Sequence, residues 1–245
     1  MKATRLLGWA TLVTLALTAV MALVATPADA VQKDAVRLLY LHVPTAWVAM
    51  YLSFGITTLA SVLWLWRRTR SDTWDLLAGA SAEIGVVFIG LTLAVGSIWG
   101  RTTWGVWWTW DARLTSTAVL FVLYLGYLAV RRVPAAPDVR AKRAAIVGIA
   151  AFLDVPIVHY AVTWWRTLHQ EATLLSPRRL GDPEIHGSMA WTLVLGVLAF
   201  TLLYGWLLAH RFRLAAMEAR LEDQGLELAI AERHAEAMEP EAVAR

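Results

Sequence analysis

Six stretches of this chain hold almost no charge and share a similar length: residues 7–27, 42–66, 78–98, 114–130, 144–162 and 188–210. Each is bracketed by charge, glycine or proline. Each is apolar all round, whereas a helix packed on a soluble core is apolar on one stripe. About 20 apolar residues make a helix long enough to cross a hydrocarbon layer about 30 Å thick. Only helices and closed barrels satisfy their own backbone in lipid, and barrel strands would be shorter and alternating. The pattern therefore predicts an all-α, polytopic integral membrane protein with six transmembrane helices.

Composition agrees, and charge orients the helices. Of 245 residues, 58% are hydrophobic and 17% charged, against roughly a quarter charged in soluble domains. The net charge is +3, but the basic residues sit in short clusters between apolar runs, where they set topology and do not point to nucleic acid. Lysines and arginines number fifteen on the side of the two termini and the second and fourth links, and seven on the other. Both termini are expected in the cytoplasm, with links 28–41, 99–113 and 163–187 outside. Residues 1–213 read as one transmembrane domain and 214–245 as a helical cytoplasmic tail, with Leu214, Met217, Leu221 and Leu228 near heptad spacing as either a solvated extension or a partner-docking face. The first segment ends in Ala28-Asp29-Ala30, as a signal peptide would, but its apolar run is nearer a full span, so a retained anchor is expected. Cysteine is absent, which removes thiolate ligands and disulfides.

Five of the fourteen tryptophans fall between Trp99 and Trp110. A helix lying on the membrane surface would place Trp104, Trp107, Trp108 and Asp111 on one face, flanked by Trp99 and Trp110, with Gly100 and Gly105 permitting a turn or a close approach. An interfacial aromatic belt explains scattered residues such as Trp9, Trp47, Trp164 and Trp191. It does not require five in one link. The density points to a flat, largely apolar ligand stacked on indole faces. Arg101 and Arg113 flank the patch, ready to pair with acidic groups on that ligand or with lipid phosphates, and Asp111 is placed to orient one of them.

Histidines add a metal to this picture. His42, in LYLHVPTAW, opens the second apolar segment, and His186, in PEIHGSMAW, precedes the sixth, so both belong at the same outer depth beside the tryptophans. Two imidazoles at one depth can hold one iron. Pro44 is expected in the first turn of its helix, where a missing N–H costs nothing. His159 and His169 are competing ligand candidates with supporting roles expected, Pro156 is expected to kink the fifth helix, and Trp164 and Trp165 extend the aromatic wall. Met189 keeps a His/Met pair open, while His210 and His234 lie on the cytoplasmic side. Glu83, near an inner helix end, is expected to reach water or an arginine, and Asp154 to satisfy backbone groups freed by the nearby proline. No hydrolase triad, phosphate loop or metalloprotease pattern occurs, so the chain reads as a handling protein and not as a conventional enzyme.

The segments WGVWWTWDARLTS, LYLHVPTAW, PIVHYAVTWWRTLHQ and HGSMAW closely resemble the CcmC family of cytochrome c maturation, the haem exporter protein C family with its WWD signature. That resemblance implies haem b bound at the periplasmic face of a bacterial inner membrane, with His42 and His186 at the positions of the axial ligands. It implies that Trp104, Gly105, Trp107, Trp108, Trp110 and Asp111 present haem to the chaperone CcmE. The small protein CcmD and the ATP-binding cassette pair CcmA and CcmB are the further partners it implies. Alternatives are transport of haem across the bilayer, attachment of haem to apocytochrome as in larger WWD proteins, and a scaffold without haem. Ligand candidates clustered at one face, with no pair of interrupted helices at the midplane, weigh against transport.

Overall fold

The structure, a computed structural model, describes residues 2–169 and 185–238. Arg178, Arg179 and Arg245, counted in the charge balance above, lie outside these. Six helices are long and apolar enough to cross a membrane: α1 Lys2–Ala25, α2 Asp34–Leu65, α3 Asp72–Trp104, α4 Ala112–Arg132, α5 Pro137–Trp164 and α6, which continues to Met238 from Gly187. No strand occurs among the described residues. The protein is a multi-pass, all-α membrane protein, as the hydrophobic pattern predicts.

Local chemistry fixes the ends. Ser71 caps α3 by accepting from the Thr73 amide, and Asp72 and Asp75 sit in its first turn against the positive end of the helix dipole. α3 stops where Gly105 takes φ +79°, a left-handed conformation that glycine adopts without strain. Asp111 caps α4, and Arg131 and Arg132 close it. Pro137 sits at the start of α5, where no amide is needed.

α1 packs along α6, with Thr4, Thr11 and Thr18 buried, and α6 packs on α2 and α3. α3 touches α2 and α4, and α4 lies on α5. Arg213 of α6 donates to the Thr4 hydroxyl at 2.7 Å, so the two chain ends share one end of the bundle, here the termini end. The opposite, loop end carries the tryptophan-rich link.

Packing at the termini end is closed. Phe54 and Tyr124 stack with centroids 3.5 Å apart, and the Ser81 hydroxyl bonds both the Ser53 carbonyl at 2.8 Å and the Tyr204 hydroxyl at 2.7 Å. Arg131 holds Asp75 in a two-pronged pair at 2.6 and 2.9 Å. Glu83 does reach an arginine, accepting from Arg211 of α6.

Two expectations change. α2 begins at Asp34, so His42 lies within the helix and Pro44 in its interior; the backbone absorbs that proline with a π turn at Val48–Ser53. α5 breaks at Leu153, two positions before the residue preceding Pro156, as expected of a proline, but Asp154 does not satisfy the break: its Oδ2 has no hydrogen-bond partner among the described residues. The tail is helical to Met238, as a continuation of α6, with Leu221 and Leu228 exposed.

Candidate functional site

Toward the loop end the bundle opens into a cavity of about 1100 Å³, bounded by α2, α3, α4, α5 and α6 and by the links after α3 and α5. Pockets for drug-sized ligands span roughly 300–1,000 Å³, so this one suits a large, flat molecule. Its walls carry His42, Trp47 and Tyr51 from α2, Trp99 and Trp104 from α3, Trp107 and Trp108 from the link, Arg113 from α4, and His159, Tyr160 and Trp164 from α5. His169, beyond α5, completes them.

The expected surface helix does not form. α3 carries Arg101 and Trp104 on its last turns, Gly105 reverses the chain, and 106–111 run without helix to the Asp111 cap. The reason is the pair of stop and start signals, a left-handed glycine and a capping carboxylate, six residues apart. Ser97 ties the link down by donating to the Trp107 carbonyl at 2.7 Å. Trp104, Trp107 and Trp108 thus reach the cavity by different routes, while Trp110, 82% exposed, stays outside with its ring edge-on to Trp108 at 5.5 Å. Arg101 donates to the Gly105 carbonyl and does not line the cavity.

Asp111 does more than cap. Its Oδ1 accepts from the Leu114 amide at 2.8 Å, and its Oδ2 accepts from the Leu168 amide at 3.2 Å, pinning the chain after α5. The same Oδ2 lies 3.6 Å from His169 Nδ1, and the His169 ring meets Trp104 edge-on at 4.9 Å. With Nδ1 turned to a carboxylate, Nε2 is the nitrogen left for a ligand, the arrangement that orients metal-binding imidazoles. Burial, reinforced by the Arg113 charge and only partly opposed by Asp111, pushes His169 down to about 4, so the ring is neutral at pH 7.

His42 reaches the cavity because α3 offers no side chain at position 96. A Cβ on Gly96 would stand 2.7 Å from His42 Cε1, closer than real contacts allow. Trp99 meets the same ring at 5.7 Å and is itself held by Gln32, which accepts from its indole N–H at 2.8 Å. His42 Nδ1, Trp108 Nε1 and Thr109 Oγ1 are buried on this cavity without hydrogen-bond partners among the described residues, and His169 Nδ1 has Asp111 near it but beyond hydrogen-bond distance. Buried polar groups are normally paired, and a cluster of exceptions on one cavity is the mark of a ligand site.

His186, exposed just before α6, is not among the lining residues, and neither is Met189, which packs with Val36, Leu39 and Leu193. His210 lies edge-on to Trp206 toward the termini end, and His234 is exposed on the tail. Trp47, expected in an aromatic belt, lines the cavity and donates to Thr201 of α6 at 3.1 Å. Tyr51 had no sequence signal. It bonds His159 Nδ1 at 2.5 Å, from a π turn whose altered register periodicity does not reveal.

A family model described as CcmC, heme exporter protein C, matches residues 1–227. The chain belongs to the haem exporter protein C family. Its relatives include proteins named heme exporter protein C from Haemophilus influenzae, 37% identical over 89% of this chain and 86% of the relative, and from Escherichia coli K12, 35% identical over 76% and 73%. A third, from Bradyrhizobium diazoefficiens, is 39% identical over 73% of this chain and 65% of the relative.

Proposed function

We propose that this member of the family binds haem b in the loop-end cavity, on the periplasmic face of the inner membrane, and passes it to the chaperone CcmE during c-type cytochrome biogenesis. The observation that carries the reading is the cavity itself: the imidazoles of His42, His159 and His169, several indoles, Arg113 and polar atoms without partners among the described residues share its walls. These residues fit a porphyrin, which needs flat apolar walls, nitrogen donors for its iron and a cation for its carboxylates. The relatives' printed name, heme exporter protein C, supports the same cargo, and the arginine and lysine excess toward the termini end supports a periplasmic site.

His42 supplies one axial nitrogen. For the other, we favour His169 over the His186 expected from matched depth, because His169 lines the same cavity, is held neutral and has its Nδ1 turned to Asp111. Arg113 pairs with the propionates, whereas Arg101 serves its own turn. Trp107 and the exposed Trp110 form the surface offered to CcmE, and the membrane complex with CcmD, CcmA and CcmB completes the pathway. Release requires only that one imidazole yield its place at the iron to a donor on the chaperone. With the other imidazole still bound, the cargo is held during the exchange.

Absorption spectra of purified variants test the ligand pair. His42→Ala and His169→Ala are expected to lose the low-spin signature, and His186→Ala to keep it. Loss in His186→Ala with retention in His169→Ala would return the ligand to His186. A wild-type chain without any haem spectrum after haem addition would reject the function.

A further inference from the structure

The haem reading leaves open how so apolar a ligand reaches a cavity among helices, and the packing of α2 and α5 answers it. Toward the termini end, 54–65 of α2 packs on 137–152 of α5. Beyond, the two helices part. α2 turns at its π segment Val48–Ser53 and from 39–47 leans on α3 and α6; α5 breaks at Leu153 and its segment Asp154–Trp164 rests on α4. Both irregularities fall at the level where the helices diverge, and a bulge or proline at such a place redirects a helix axis. The Tyr51–His159 hydrogen bond spans the base of the resulting slot.

Along this slot the rings are continuous. Trp47 meets Tyr51 at 5.4 Å, Tyr51 meets His159 at 6.0 Å, His159 meets Tyr160 at 4.7 Å, and Tyr160 stacks on Trp164 at 5.4 Å. All five line the cavity, yet Tyr160 and Trp164, on a helix long and apolar enough to span the membrane, are also exposed at the surface, as is Val194 of α6. A core would bury such rings, and a belt would scatter them. A run that starts inside a cavity and ends facing lipid is a path for a flat, apolar molecule.

We infer that haem enters laterally, from the leaflet at the loop end, through the slot between α2 and α5 and along the rings from Trp164 to Trp47, with the Tyr51–His159 bond as its floor. This rests on the proposed haem site. The ring faces exchange lipid contacts for stacking at each step, so the porphyrin need not cross water.

Val194 offers the test, since it lines the cavity with an exposed side chain and is none of the residues proposed to hold the iron or the carboxylates. The full chain in lipid nanodiscs is mixed with haem-bearing vesicles, and the rise of the low-spin spectrum is followed in time. Val194→Leu, Val194→Phe and Val194→Trp are expected to slow loading in that order, by about tenfold or more for Trp, while the haem that does load gives a low-spin spectrum, since both imidazoles are intact. Leu198→Trp, on the lipid face of α6 away from the cavity, is expected to load at the wild-type rate. The graded series keeps the answer readable even if Trp unfolds the protein. Equal rates across the series would leave the slot to lipid chains and overturn the inference, as would slowing by Val106→Trp at the loop mouth alone. A wild-type chain that takes up no haem at all would instead overturn the function beneath it.

Discussion

The two ends of this bundle differ in how they pair their polar and charged groups. At the termini end, Asp75 meets Arg131, Glu83 meets Arg211, and the Ser81 hydroxyl is shared between a carbonyl and Tyr204. At the loop end, His42, Trp108, Thr109 and His169 each keep a buried polar atom without a hydrogen-bond partner among the described residues. Apolar surroundings make an unpaired group costly, so a protein satisfies such groups unless something else is to satisfy them. The contrast is one of clustering, since Thr58 Oγ1 and Trp64 Nε1 also lack partners toward the termini end: there compensated charge holds helices together, and at the loop end four unpaired atoms share one cavity.

The largest effect is expected where compensation is removed. Asp75 and Arg131 are both largely buried, at 14% and 16% side-chain exposure. Losing one member of a buried pair strands the other, which costs about 3–5 kcal/mol. Asp75→Ala is therefore expected to lower the midpoint of unfolding in detergent markedly, while haem bound by the surviving folded protein keeps its low-spin spectrum. A changed spectrum with little loss of stability would show that the two ends are one coupled unit.

Next in size is the carboxylate shared between fold and site. Asp111→Asn keeps a capping oxygen but weakens the hold on His169, and loss of such a supporting carboxylate typically costs 10–100-fold in metal-site affinity. The expected result is about tenfold weaker haem retention with near-normal thermal stability. Equal damage to both would assign Asp111 to the cap alone. Gly96→Ala probes the His42 wall. The added methyl meets the His42 ring at 2.7 Å, and relieving such overpacking costs about 1–3 kcal/mol. A displaced ring is expected to give a mixed high- and low-spin spectrum, and an unaltered spectrum would show that α3 shifts instead.

How far the sequence reveals all this depends on what each feature rests upon. Six helices and the break near Pro156 follow from hydropathy and backbone chemistry, which act locally. The aromatic character of the site is equally legible, because five tryptophans in one link exceed any belt. Which of them enter the cavity is not legible. That is set by Gly105 and Asp111, which replace the expected surface helix with a reversed link. Tyr51 is hidden for a related reason: it lies in a π turn that changes the register of α2, so counting at 3.6 residues per turn misplaces it. His186 shares a depth with His42 on paper, but depth carries no information about azimuth around the bundle. His169 enters the cavity through the Asp111–Leu168 hydrogen bond, a contact between residues far apart in sequence.

The smallest and most specific effect concerns protons. In the free chain His169 lies near 4 and not at 6.5, chiefly from burial, then from Arg113, with Asp111 pulling the other way. A depressed histidine binds its proton in the unfolded chain first. Its contribution to stability is thus whole above about pH 6.5, declines as pH falls through the window to 4, and is constant below. An ordinary exposed imidazole would begin to lose its lone pair just under neutrality. This one is expected to stay a competent ligand to about pH 5, with haem retention steady from pH 7 and falling only as the medium approaches 4. Histidine NMR of the ligand-free protein checks the cause. Arg113→Gln removes a positive charge that opposes protonation, so the His169 midpoint is expected to rise toward 6.5, whereas Asp111→Asn is expected to lower it further. A wild-type midpoint above about 6 would mean that water already reaches the ring, and the loop end would then be no less compensated than the other.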